Sequence, residues 1–139
     1  MFGDILSISR LRMGTDGNGI STLVVFFDCP LYCEYCINDF CHKLQKPFVG
    51  EPLLQSKYIH KVCTMVDQRW AKRIETSLNV PWDNIKPVLY DMDEWIIDIK
   101  DINSDIYKSY TKTDNKNMIE NLLKLRNKVS KDKIHIRIP

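Results

Sequence analysis

The chain has 139 residues, of which 44% are hydrophobic and 27% charged, and its formal net charge is +2. So small a charge, with basic and acidic residues interleaved, argues against nucleic acid as a partner. No apolar run approaches the roughly 20 residues of a membrane-spanning helix. The first ten residues lack the basic-then-apolar layout of an export signal. The expectations are therefore one domain over 1–139, no membrane partner and a cytoplasmic location.

In chain order, Thr15-Asp16-Gly17-Asn18-Gly19 is a strong turn signal, and the β-branched and aromatic run from Ser21 to Phe27 predicts a buried strand. Pro30 stops that strand, so the cysteines that follow sit in the loop beyond its C-terminal end. Ser56 to Trp70 predicts a helix with Ile59, Val62, Cys63 and Val66 on one face. Lys72 to Glu75 is a short strand, Pro81 to Leu89 a helix opened by proline, and Glu94 to Ile99 another buried strand. Asp114 to Val129 gives the clearest helical stripe, through Met118, Ile119, Leu122, Leu123 and Leu125, with Asp114 as its cap. Lys133 to Ile138 alternates strictly and predicts a last strand. Strands alternating with helices define an α/β class with a mainly parallel sheet, whose chemistry collects at the C-terminal strand ends.

Five cysteines occur, and four of them, Cys29, Cys33, Cys36 and Cys41, fall within thirteen residues. The odd count and the absence of an export signal favour metal or a metal cluster over disulfides. Cys29-x3-Cys33-x2-Cys36 puts three thiolates on one short loop. Three ligands suit a four-iron cubane and leave one iron open; structural zinc usually has four ligands. Cys41 or His42 is available as a fourth, so spacing by itself leaves both metals open.

Asp16-Gly17-Asn18-Gly19-Ile20, a strand, then C-x3-C-x2-C with an aromatic before the third cysteine resembles the radical S-adenosylmethionine superfamily. Within it the pattern resembles the activating enzymes of glycyl radical enzymes, such as pyruvate formate-lyase activating enzyme. The likeness continues through Gly50-Glu51-Pro52, Ile74-Glu75-Thr76-Ser77, Val80-Pro81-Trp82, Asp98-Ile99-Lys100, Tyr110-Thr111, Glu120-Asn121-Leu122 and Ile136-Arg137-Ile138-Pro139.

This resemblance implies a partial (β/α) barrel of mainly parallel strands, with a [4Fe–4S] cluster on Cys29, Cys33 and Cys36. It implies reductive cleavage of S-adenosylmethionine to a 5′-deoxyadenosyl radical, which makes a glycyl radical on a partner enzyme. A flavodoxin- or ferredoxin-type protein would donate the electron. Tyr35 would pack on the adenine, and Gly50-Glu51-Pro52 would hold the methionine amino group, with Glu51 accepting from the ammonium. Glu75, Thr76 and Asp98 would supply ligand contacts and a monovalent cation site. Lys100 would pair with the cofactor carboxylate, and Arg137 is a weaker candidate for the same pocket. Taken without the family, Asp98 and Lys100 read as a surface ion pair. Cys41, His42 and Cys63 have no assigned role.

The chain departs from the family's pattern in several places. Only thirteen residues separate Cys36 from Gly50, which is too few for the usual helix and most of a strand. That leaves Lys46 to Val49 for a second strand, and Val49 replaces the usual first glycine of a Gly-Gly-Glu motif. The resemblance thus predicts a scaffold shortened between Cys36 and Gly50 and lacking the C-terminal barrel strands. Ser21 stands where relatives acting on pyruvate formate-lyase-like partners usually have Arg. The alternatives are the same radical chemistry on a small molecule or ribosomal peptide, or an inactive truncated protein that binds a cluster or zinc.

Overall fold

The structure, a computed structural model, describes residues 3–14, 19–34, 36 and 50–138. Tyr35, Cys41, His42, Asp16 to Asn18 and the expected strand at Lys46 to Val49 lie outside the described residues.

Strands β1 (Ile5–Met13) and β2 (Ile20–Phe26) pair antiparallel in a two-stranded sheet. Its register shifts twice, between Ile5 and Ser7 and between Ser9 and Arg12, and Leu11 at the second shift has a positive φ of 57°. Such bulges bend and twist a hairpin. The expectation that this strand is buried is corrected: in β2 only Phe26 is buried, while Ile20 and Val24 are exposed. The physical reason is that β2 pairs with β1 alone among the described strands and is not sandwiched.

After Gly50, whose φ of 124° suits a residue without Cβ, comes a 3-10 turn (Pro52–Gln55) and then α1 (Ser56–Met65). This helix is shorter than the predicted one. Val66 is already extended, and Gln68 Nε2 donates to the carbonyls of Cys63 (3.0 Å) and Val66 (2.9 Å), satisfying the helix end from outside. Next are β3 (Arg73–Thr76), α2 (Trp82–Ile85) and a 3-10 turn (Lys86–Val88). Pro87, without an N–H, falls where the predicted helix changes to this tighter turn.

Strand β4 (Glu94–Asp98) is followed by α3 (Ser104–Thr111), α4 (Lys116–Arg126) and β5 (Ile134–Arg137). α3 was absent from the sequence expectations. Asn103 caps it, its side chain accepting from the backbones of Asp105 (2.9 Å) and Ile106 (3.1 Å). The expected cap of α4 moves by one residue: Asn115 occupies the cap without a side-chain bond, while Asp114 Oδ1 still accepts from Lys116 N–H at 3.0 Å.

β3, β4 and β5 form a parallel sheet in that order. Side chains alternate between its faces. One face carries Ile74, Thr76, Trp95 and Ile97, all buried in or beside a core that includes Leu53, Leu78, Ile85, Val88, Tyr107, Met118 and Leu125. The other face carries Arg73, Glu75, Ile96, Asp98, His135 and Arg137, none of which is buried. Parallel sheets are ordinarily covered on both faces, and here one face is open among the described residues. No described helix is long and apolar enough to cross a membrane.

Candidate functional site

The residues singled out in the sequence gather at the C-terminal ends of β2, β3, β4 and β5, where a parallel α/β sheet places its chemistry. Glu51 joins the two sheets. Its backbone N–H donates to Asp28 O (3.1 Å) beside the cysteine loop, and the preceding Gly50 N–H donates to Phe26 O (3.2 Å) at the end of β2. Its side chain reaches β3. Oε1 accepts from Thr76 Oγ1 (2.7 Å) and Leu53 N–H (3.2 Å); Oε2 accepts from Ser77 N–H (2.9 Å) and Ser77 Oγ (2.6 Å). Those four donors fill the acceptor capacity of a carboxylate. Glu51 is 1% exposed. Burial is the largest influence on it and raises its pKa, opposed by these hydrogen bonds. The ammonium contact expected for Glu51 would thus meet a carboxylate already engaged by the protein.

Cys29, Cys33 and Cys36 are free thiols, each part-exposed. Cys29 and Cys33 pack against the hydrophobic core. Burial pushes the Cys29 thiol up to about 12, with the Leu31 backbone N–H acting the other way and the charges of Glu51, Cys33 and Cys36 adding to the rise. Burial also raises Cys33; the Lys100 ammonium opposes it, and Cys36 reinforces it. The three sulfurs are therefore electrostatic neighbours. Among the described residues no group of three His, Cys, Asp or Glu side chains is gathered tightly enough to hold one metal ion.

The loop is held from below by α3. Tyr32 N–H donates to Thr111 O (2.9 Å), Glu34 N–H to Tyr110 O (3.2 Å), and Lys112 Nζ meets Glu34 Oε1 at 2.7 Å. Lys112 has a φ of 63°, the left-handed conformation that ends a helix.

On the open sheet face Arg137 bridges two strands. It donates to Asp98 (Nε to Oδ1 2.5 Å, Nη2 to Oδ2 3.0 Å) and to Glu75 Oε2 (2.8 Å). Asp98 first and Glu75 second raise the Arg137 pKa and keep it charged. Lys100 Nζ lies 3.7 Å from Asp98 Oδ2. Thr76 is buried and turned to Glu51, whereas Glu75, its neighbour, is exposed and turned to Arg137. The sequence reading paired Asp98 with Lys100 but did not give the Thr76–Glu51 and Arg137 pairings.

Two residues escaped that reading. His135 shares the open face with Arg137 because they are two apart on β5, and the alternation of Lys133 to Ile138 carried that signal. Tyr107 is wholly buried on α3 beneath the cysteine loop. Asn103 before Ser104-Asp105, with Tyr107 and Thr111 four apart, was its signal. A cleft of about 560 Å³ is lined by Asp4, Asp28, Gln55, Lys57, Asp83 and Asn84 among others, and none of the predicted ligands lines it.

No protein-family model matches the chain. It is 40% identical over 91 residues to the (2S)-3-sulfopropanediol dehydratase activating enzyme of Klebsiella oxytoca, a match covering 65% of this chain and 28% of that enzyme. It is 33% identical over 93 residues to the 4-hydroxyphenylacetate decarboxylase activating enzyme of Clostridioides difficile, covering 65% of this chain and 29% of that enzyme. The chain thus spans under a third of the length of these curated relatives. In structure it is similar to a domain of pyruvate-formate lyase-activating enzyme from Bacteroides vulgatus, with a TM-score of 0.55 and 22% identity over 65% of this chain and 55% of that one. That likeness establishes a shared mixed α/β fold around the three-stranded parallel sheet.

Proposed function

We propose that this chain, whose homologues are activating enzymes of glycyl radical enzymes, is itself a radical S-adenosylmethionine activase, or the piece of one that carries the cluster. The single observation that carries the reading is the meeting of three free thiols with Gly50-Glu51, Thr76, Asp98 and Lys100 at one end of both sheets. In this reading the open face of the sheet is the lumen side of a partial (β/α) barrel, and the compartment is the cytoplasm.

Cys29, Cys33 and Cys36 would hold a [4Fe–4S] cluster, for which the chemistry of the donor set is suitable. When bound, it supplies the electron that cleaves S-adenosylmethionine into methionine and a 5′-deoxyadenosyl radical. The chain's own residues bind and orient. Gly50, lacking a side chain, admits a ligand close to its backbone. Glu51 keeps the end of β2, the cysteine loop and β3 in fixed relation. Lys100, poised between Asp98 and Cys33, offers an ammonium to a cofactor carboxylate. Tyr35 would pack on the adenine, and Pro52 would complete the Gly50-Glu51-Pro52 turn that holds the methionine amino group. Glu75 and Asp98, already neutralised in part by Arg137, line the same opening and are the candidates for a monovalent cation. The hydrogen donor would be a glycine Cα of a partner glycyl radical enzyme, and the electron donor a flavodoxin- or ferredoxin-type protein.

Elemental analysis after anaerobic reconstitution tests the proposal. About four irons and four sulfides per chain, lost together when Cys29, Cys33 and Cys36 are each changed to Ser, is the expected outcome. Stoichiometric zinc with no retained iron would refute it.

A further inference from the structure

The side chain of Tyr107 has no exposure to solvent, and its hydroxyl has no hydrogen-bond partner among the described residues. A phenol both donates and accepts, and buried polar groups without partners are rare enough to need a reason. The neighbours narrow the reason. The Asn79 amide bears on the phenol, but as a donor, with its Nδ2 already directed to Asp114 O (2.8 Å) and Thr113 Oγ1 (3.4 Å). Glu51 also bears on it, but its carboxylate is filled by Thr76, Ser77 and Leu53. The proton of the phenol therefore lacks an acceptor among the described residues, and the remaining charged groups that bear on it are the Cys33 and Cys29 sulfurs.

Backbone geometry selects one of them. The loop residues on either side of Cys33, Tyr32 and Glu34, are hydrogen-bonded to Thr111 and Tyr110 in the last turn of α3. Thr111 lies one turn beyond Tyr107 on the same buried face and donates from Oγ1 to Tyr107 O at 2.8 Å. Leu31 and Tyr107 belong to one hydrophobic core, with Cys29 and Cys33 packed against it. The buried face of α3 thus underlies the middle cysteine of the three. Consistently, the charge of Cys33 acts on the Tyr107 phenol more strongly than that of Cys29.

We propose that the Tyr107 hydroxyl donates a hydrogen bond to the Cys33 thiolate once that sulfur ligates a cluster, and thereby sets how readily the cluster accepts an electron. A thiolate, unlike a neutral thiol, is a charged acceptor, so a hydrogen bond to it is charge-assisted. Hydrogen bonds to ligand sulfurs favour the more negative, reduced state and are one of the protein's levers on cluster potential. Tyr107 is then a positioning and tuning residue, not one that touches substrate. This assignment rests on the proposed cluster on Cys29, Cys33 and Cys36.

The test is Tyr107→Phe, which deletes the hydroxyl and keeps the ring. The metal-free variant is expected to melt at or above the wild-type temperature, because an unsatisfied buried group is lost. An earlier melt would show that the hydroxyl already has a partner, overturning the premise. In a redox titration of the reconstituted proteins followed by EPR, the variant is expected to be harder to reduce. A roughly tenfold shift in the one-electron equilibrium, about 59 mV, is the scale of the effect. Electron-nuclear double resonance in H2O and D2O should show an exchangeable proton coupled to the wild-type cluster that the variant lacks. Equal potentials and identical exchangeable couplings overturn the Tyr107 assignment and leave the cluster reading intact. A wild type that takes up no cluster overturns the cluster reading, and this assignment with it.

Discussion

Ser77 meets Glu51 twice, donating to the same carboxylate oxygen from its backbone N–H at 2.9 Å and from its hydroxyl at 2.6 Å. With Thr76 and Leu53 completing the set, the carboxylate is the joint between the hairpin that leads to the cysteines and the parallel sheet that carries Asp98 and Arg137. Glu51→Ala removes the acceptor of four buried donors at once. At roughly 1–3 kcal/mol for each group left unsatisfied, partly relieved by entering water, the loss should be about 3 kcal/mol or more. Urea unfolding measures it, and a loss under about 1 kcal/mol would deny Glu51 this role.

The same carboxylate makes stability depend on pH. Its folded pKa is raised above the ordinary value of 4.5, chiefly by burial. An acid raised on folding holds a proton that the unfolded chain has released, so unfolding is increasingly favoured as pH rises from 4.5 through the folded pKa. Glu51→Gln cannot titrate. Over that window the stability of the wild type should fall relative to the Gln variant, and then run parallel to it at higher pH. Parallel curves throughout would show that Glu51 is unshifted.

Asn121 is a second buried polar joint. Its Nδ2 donates to Leu78 O (2.9 Å) and Val80 O (2.7 Å), fixing the exit loop of β3 to α4, and Leu78 within that loop has a positive φ of 55°. Asn121→Ala leaves two carbonyls short of a donor and should cost about 2–4 kcal/mol in a denaturant titration. An effect near zero would mean that the loop keeps its path without the clamp.

Arg137 is different because its side chain is half exposed. Surface ion pairs contribute roughly 0–1 kcal/mol and are screened by salt. Arg137→Met should therefore cost about 1 kcal/mol at low ionic strength and less at high ionic strength. A loss that salt does not diminish would point to packing and not to charge.

Much of this was legible because hydrophobic period and turn residues are local signals. The Ser21 to Phe27 run, Glu94 to Ile99 and the stripe from Met118 to Leu125 all became regular elements near their predicted places. What failed depends on tertiary context. Ser56 to Trp70 carries a helical stripe to Val66, yet Gln68 folds back to end the helix at Met65. A buried strand and a hairpin strand with one open face can be equally apolar in sequence, so Ile20 and Val24 gave no sign of their exposure. β1 was missed because Ile5 to Met13 mixes apolar, Ser and Arg residues around two bulges. At the site, motif order brought Glu51, Thr76, Asp98 and Lys100 together in advance. That Glu51 would be saturated by protein donors depends on how the turn after Gly50 packs on the end of β3, and that Arg137 would span Asp98 and Glu75 depends on register across three strands, which no single segment encodes.

Whether Cys29, Cys33 and Cys36 hold a cluster with an iron open to S-adenosylmethionine is decided by reconstituting the protein anaerobically, reducing it, and recording its EPR spectrum with and without S-adenosylmethionine. A [4Fe–4S]⁺ signal that changes shape on addition of the cofactor is expected. A signal indifferent to the cofactor, or no cluster signal at all, would contradict this assignment.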